Sequence, residues 1–264
     1  MIHQTAIIKD GAKLGSGVKV GAYAYIGPKV VIGDNCEIGN GVQITGKTTI
    51  GTNNKIYAHA VIGAAPQDLK YNGEETELII GNGNTIREFC FFNPGTVQGG
   101  GVTKIGNGSL FMAYVHIAHD CIVGNNCILA NNATLAGHVE LGNFAVVGGM
   151  TPIHQFVKVG DYAMLGGASA ISQDIPPYCL AEGNRAKLRG LNLVGLRRHI
   201  ERSDVDELKR AYRELFLKGR PLKEAAKELM AIDNVYVQKI AKFCLETKRG
   251  IPYHHKDAAV NIDE

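Results

Sequence analysis

Four histidines and an aspartate, His116, His119, Asp120, His138 and His154, carry the most chemically capable side chains in this sequence. An imidazole ionises close to neutral pH, so it can take up a proton during a reaction and give it back. A carboxylate beside it, as Asp120 is beside His119, can orient the ring and decide which nitrogen holds the proton. The same residue types also ligate zinc, or fill surface sites with no chemistry at all. Spacing decides between these roles. Rings this far apart in the chain form one site only if the backbone returns at a fixed interval.

It does. An aliphatic or aromatic residue recurs every six positions from Ile105 through Phe111, Ile117, Val123, Leu129, Leu135, Leu141, Val147, Ile153, Val159 and Leu165 to Ile171. Four positions after each rung comes a smaller residue, as at Val115, Cys121, Cys127, Ala133 and Val139. Six fits neither the helical period near 3.6 nor the strand period of 2, and fixed repetition of this kind marks a solenoid. The ladder predicts a parallel β-helix with three hexads to a coil, so that residues eighteen apart stack at about 4.8 Å.

The same ladder runs from Ile2 to Ile62, and Gly often follows the rung, as at Gly15, Gly21, Gly33 and Gly51. Glycine there is expected to turn a tight corner with positive φ. Carried past Ile62, the frame would bury Asp68 and Glu74, so residues 63–79 are expected to leave as a loop. A second, Gly-rich excursion is expected at 97–104. Ile105, Val123, Leu141 and Val159 then define face one, Phe111, Leu129, Val147 and Leu165 face two, and Ile117, Leu135 and Ile153 face three, with Phe92. His119, His138 and His154 fall on face three in successive coils, and His116 at the corner leading into it. Both loops leave from that face, which predicts that they stand beside the histidines.

The remaining composition narrows the function. A net charge of +3 gives no nucleic-acid or polybasic membrane footprint, and no apolar run is long enough to span a bilayer. The start of the chain has neither a basic leader nor an apolar run, so no signal peptide is expected. Of the six cysteines, Cys36, Cys90, Cys121 and Cys127 take the small inward position of a hexad, as core thiols of a cytoplasmic protein would. After the Pro176-Pro177 pair the pattern turns helical. Ser203 and Asp206 suggest a capping box, and Val205, Leu208, Ala211, Tyr212, Leu215 and Phe216 an apolar stripe ending at Gly219. Further helices are expected from Pro221 to about Ala231 and from about Asn234 to Lys248, covering the open last coil. Arg185, Lys187, Arg189, Arg197, Arg198 and Lys209 gather at this junction, as a solvated surface or as a dock for an anion or an acidic partner.

At His116-Ile117-Ala118-His119-Asp120, at Leu129 to His138 and at His154-Gln155-Phe156, the chain resembles the UDP-N-acetylglucosamine O-acyltransferases of lipid A biosynthesis. The resemblance takes in Gln67 to Tyr71, Gly95 to Gly101 and the helical tail, and so covers essentially the whole chain. It implies an all-β left-handed parallel β-helix over 1–188, followed by an α-helical C-terminal domain over 189–264. The implied reaction moves a 3-hydroxyacyl group from acyl carrier protein to the glucosamine 3-hydroxyl. A homotrimer with sites between subunits is also implied. No metal and no resident cofactor are expected, the acyl donor being carried on the carrier protein's phosphopantetheine. A sugar hydroxyl is too weakly acidic to ionise near neutral pH, so His119 is expected as general base and Asp120 as its orienting partner. By the same comparison the Gly137 N–H stabilises the oxyanion, and Asp68, Lys70, His116 and His138 bind the sugar. His154, Gln155, Asn192 and Arg198 contact the nucleotide and diphosphate. Met164 and Gly167 form the wall and end of the acyl groove, the missing side chain at Gly167 implying a long chain.

Departures from the family pattern are Asn93, where many members have His, followed by Pro94, and Val194, where they have an acid; acceptor contacts are expected to differ there. Relatives acting on a 3-amino sugar analogue give an alternative acceptor. An N-acyltransferase later in the pathway shares the hexads but usually has an added N-terminal domain. A zinc hydratase on the same scaffold would use its histidines as ligands, and a non-catalytic binder would not need His119.

Overall fold

The computed structural model describes residues 1–253, so the end of the expected helical domain, 254–264, lies outside the described residues. Strands mostly two residues long stack in parallel into three sheets, wound as a left-handed β-helix. Face one holds eight strands, from Lys13–Leu14 to Lys158–Val159, and face three eight, from Ile7–Ile8 to Pro152–Ile153. Face two has ten, from Lys19–Val20 to Lys187–Leu191. His116 pairs in register with Thr134, and Ile117 with Leu135, the expected eighteen-residue return. Phe92 pairs with Ile117 and so belongs to face three.

The hexad rungs fill the prism. From Val20 to Ile171 none is more than 3% exposed, whereas Ile2 at the open end is 51% exposed because no coil lies beneath it. All six cysteines are buried free thiols, and burial raises Cys90 and Cys121 to about 12. Such thiols stay protonated and inert.

The corner glycines work differently from expectation. Positive φ falls three residues after the rung, on Asp120 (60°), His138 (63°) and Phe156 (65°) among others, and, apart from Gly63 where the first loop leaves, not on the glycine that follows the rung. That glycine is needed for close stacking: a Cβ on Gly106 would stand 2.7 Å from the Gly124 carbonyl oxygen of the next coil. The left-handed conformation costs a non-glycine residue about 1–2 kcal/mol, offset here by the stacked coils.

Both loops re-enter the sheet earlier than the sequence suggests. Glu77–Ile80 and Val102–Ile105 are four-residue strands, Glu77–Ile80 pairing with Lys47–Ile50 on one side and with Val102–Ile105 on the other, because Thr48, Leu78 and Thr103 form an extra inward layer.

The expected boundary at 188 falls inside a strand. Cys179–Glu182 and Lys187–Leu191 form an antiparallel pair on top of face two. Helices follow: α1 (Leu193–Leu196), α2 (Arg202–Phe216), α3 (Leu222–Leu229) and α4 (Val235–Glu246). The expected stripe of α2 is buried, but no capping box forms, since Glu201 is the N-cap and Ser203 lies within the helix. The tail closes the last coil through the buried Asp174, which accepts the Thr247 hydroxyl at 2.7 Å and the Lys248 and Arg249 amides at 3.3 Å.

Candidate active site

Both loops leave at the corner between faces three and one, where His119, Asp120, Gly137 and His138 project. Residues eighteen apart share a row, which sets His138 above Asp120 and Phe156 above His138. The His138 and Phe156 rings stack at 4.3 Å and 9°, and His119 meets His138 edge-on at 5.2 Å.

Asp120 is the fixed point. Its side chain is 1% exposed, and a buried carboxylate needs donors on its oxygens. The Thr96 N–H donates to Oδ1 at 2.8 Å, the Thr96 hydroxyl to Oδ2 at 2.6 Å, and His119 Nδ1–H to Oδ2 at 2.7 Å. The Asp120 amide donates to Thr103 Oγ1 at 2.8 Å, which holds the left-handed corner. With the proton on Nδ1, His119 presents Nε2 as a free base.

Gly137 lies one coil above that ring. A Cβ on it would stand 2.7 Å from His119 Nε2, so only glycine allows the ring this position. Gly137 is buried, and among the described residues its N–H has no acceptor. At the corner between faces one and two the corresponding amides of Asn107, Asn125 and Asn143 donate to Asn125, Asn143 and Asp161 side chains at 2.8 to 2.9 Å. A donor left open beside a base can stabilise negative charge that develops there.

His116 lies in the strand His116–Ile117, one residue before the rung and not at a corner. Its Nδ1–H donates to the Phe91 carbonyl at 3.0 Å, and burial lowers its pKa. Burial likewise lowers that of His138, opposed by the charges of Asp120 and Asp68. Asp68 on the first loop is therefore electrostatically close to His138, and it accepts the Lys70 amide at 3.0 Å. Lys70, His154 and Gln155 are exposed, the latter two on the coil above.

The other expected residues lie elsewhere on the chain. Asn192 sits at the corner between faces one and two, capping α1 through the Gly195 amide and donating to the Tyr162 carbonyl at 3.0 Å. Arg198 is exposed just after α1, next to His199, whose ring meets Phe144 and Tyr162 at that same corner. Met164 faces outward on face two, and Gly167 lies at the corner between faces two and three. Of the junction cations, Arg197 and Lys209 line a groove of about 360 Å³ with Arg202, while Arg189 stands 3.4 Å from Glu182.

Sequence reasoning missed Thr96, Thr103, Gly99 and Phe156. Phe156 was readable as the residue eighteen after His138, whereas Thr96 reaches Asp120 only through the path of its loop. Asn93 proves to be fully buried, and its amide donates to the Ala64 and Ala65 carbonyls at 2.9 Å each, clamping the base of the first loop.

His119, Asp120 and His138 bring potential metal-ligand atoms within 4.8 Å of one another. Ligands about 2.0–2.2 Å from a tetrahedral ion stand roughly 3.4 Å apart. The 2.7 Å His119–Asp120 separation is that of a charge-assisted hydrogen bond, with Oδ2 already held by Thr96. The donor set fits a proton-handling pair.

Family models match in both parts of the chain: bacterial transferase hexapeptide repeats at 11–46, 29–64 and 103–137, and the UDP-N-acetylglucosamine O-acyltransferase domain 2 at 174–252. An acyl-[acyl-carrier-protein]--UDP-N-acetylglucosamine O-acyltransferase of Aliarcobacter butzleri is 62% identical over 97% of this chain and 99% of its own length. The UDP-N-acetylglucosamine acyltransferase structure from Campylobacter jejuni superposes with a TM-score of 0.93 at 53% identity, over 96% of this chain and all of that one. That from Francisella novicida gives 0.93 at 32% identity over the full length of both. Alike in sequence and in backbone course to these proteins across almost its whole length, this chain belongs to the UDP-N-acetylglucosamine O-acyltransferase family.

Proposed function

We propose that this protein transfers a 3-hydroxyacyl group from acyl carrier protein to the glucosamine 3-hydroxyl of UDP-N-acetylglucosamine, the first step of lipid A biosynthesis. The observation that carries the reading is the hydrogen bond from His119 Nδ1 to Asp120, which leaves Nε2 free directly beside Gly137. Nε2 takes the proton of the sugar 3-hydroxyl as its oxygen bonds to the thioester carbonyl carbon. The carbonyl oxygen becomes an oxyanion facing the open Gly137 N–H. When the tetrahedral intermediate collapses, the C–S bond breaks and the imidazolium returns its proton to the departing thiolate. Asp120 faces the positive charge that the ring carries between these steps. Asp68, Lys70, His116 and His138 surround the sugar in this reading, and no resident cofactor or metal takes part. Six buried free thiols suit the reducing cytoplasm.

The reading includes a homotrimer. His119 at one corner, Asn192 and Arg198 at a second, and Met164 and Gly167 toward a third cannot converge within one prism. A threefold axis parallel to the prism would set different corners of neighbouring copies face to face. His154, Gln155, Asn192 and Arg198 then hold the nucleotide, and Met164 and Gly167 the acyl chain.

His119→Ala is expected to lower kcat about 10²–10⁴-fold without loss of fold, and full activity would overturn the base assignment. Coexpressing His119→Ala with Arg198→Ala chains is expected to restore activity that neither has alone. Failure to complement would refute sites shared between subunits.

A further inference from the structure

We propose that Thr96, on the second loop, is a positioning residue of the acyl transfer: its hydroxyl and amide together fix the carboxylate that orients the His119 base. This rests on the base reading above. Thr96 is 1% exposed and spends both donors on Asp120, the N–H on Oδ1 at 2.8 Å and the hydroxyl on Oδ2 at 2.6 Å. It also N-caps the 3-10 turn Val97–Gly99, its Oγ1 accepting the Gly99 amide at 3.2 Å. The turn presses on the carboxylate so closely that a Cβ on Gly99 would stand 2.0 Å from Asp120 Cγ.

Two points of attachment stop the carboxylate from rotating, so Oδ2 meets His119 Nδ1 in one geometry. Without the Thr96 hydroxyl, Oδ2 would keep His119 as its one close donor. The carboxylate would turn more freely and its charge would bear on the imidazole undivided. The first effect lowers the rate; the second stabilises the imidazolium and moves protonation of the base to higher pH. The titratable groups facing Asp120 are few. His119 is bonded to it, His138 Nε2 stands 3.8 Å away under the added influence of Asp68, and Cys121 is a buried neutral thiol behind it.

The test compares Thr96→Val with Thr96→Ser in the full-length protein. Val is expected to lower kcat about 10–100-fold with KM for the sugar nucleotide within about threefold, and to move the acidic limb of the kcat profile upward by about half a pH unit or more. Ser restores the hydroxyl and is expected to recover rate and profile to within about threefold. Thermal melting checks the fold of both. A Val variant that stays folded with an unmoved acidic limb would overturn the proposal, as would a Ser variant no better than Val. The base reading falls separately, if His119→Ala stays active.

Discussion

Gly99 and Asp120 approach until a Cβ on the glycine would stand 2.0 Å from the carboxylate carbon and 2.1 and 2.3 Å from its oxygens. The second loop is therefore the inner wall of the site. Gly99→Ala is expected to displace Asp120 or the turn, at about 1–3 kcal/mol as for other overpacked sites, and to lower kcat tenfold or more. The neighbouring Gly101 has open space around its Cβ position but a φ of 81°, so Gly101→Ala should strain the backbone without pushing Asp120. Comparing the two by kcat and melting temperature separates crowding of the carboxylate from loop strain; equal losses would count against it.

Asn93 is a clamp. Its two bonds to Ala64 and Ala65 tie down the loop that carries Asp68 and Lys70. Asn93→Ala should cost about 1–3 kcal/mol of stability, the worth of two hydrogen bonds, and raise KM for the sugar nucleotide about tenfold. The effect on kcat should be smaller, because the His119–Asp120 pair does not touch Asn93. Steady-state kinetics read this directly, and an unchanged KM would show that the loop is held elsewhere.

Acid should weaken the fold partly through His116. Burial depresses its pKa below the usual 6.5, so the unfolded chain binds a proton there before the folded chain does. Stability from this residue is complete above about pH 6.5, falls as the pH drops below that value, and levels off once the folded-state pKa is passed. Melting temperatures between about pH 7.5 and 5.5 should thus slope less steeply in His116→Gln than in the parent. Parallel slopes would remove His116 from the account of acid sensitivity.

Gly167 has room for a side chain. A Cβ there meets Gly149 O at 3.4 Å and Gly149 N at 3.8 Å, ordinary contacts, and no positive φ stands in the way. Gly167→Met should leave the melting temperature nearly unchanged while shifting acyl preference to shorter chains. Each methylene denied its apolar contact costs about 0.8 kcal/mol, roughly a fourfold loss in kcat/KM. Competition between carrier-bound acyl chains of different length measures this, and an unchanged preference would refute the ruler role.

The hexad ladder was enough to determine the prism, because a period of six turns Ile117, Val123 and Leu129 to three different sides of a helix but points all three inward in a three-sided coil. It also stacked His119 and His138 in successive coils, since register follows from counting, but the structure puts them at the corner after face three and not on the face itself. The role of the glycines after the rungs did not follow from counting: Gly106 answers to the carbonyl of the coil above and not to its own φ. Nor did the partners of Asp120. Thr96 and Gly99 come from a loop with no period, whose path is set by the contacts it makes, and only the folded chain shows both closing on the carboxylate. The family resemblance implies a nucleotide ligand at Asn192; that this residue stands at a different corner from His119, capping α1, only the tertiary structure shows. Local sequence fixes which side chain points outward from each coil. Which outward side chains meet depends on how coils, loops and helices pack.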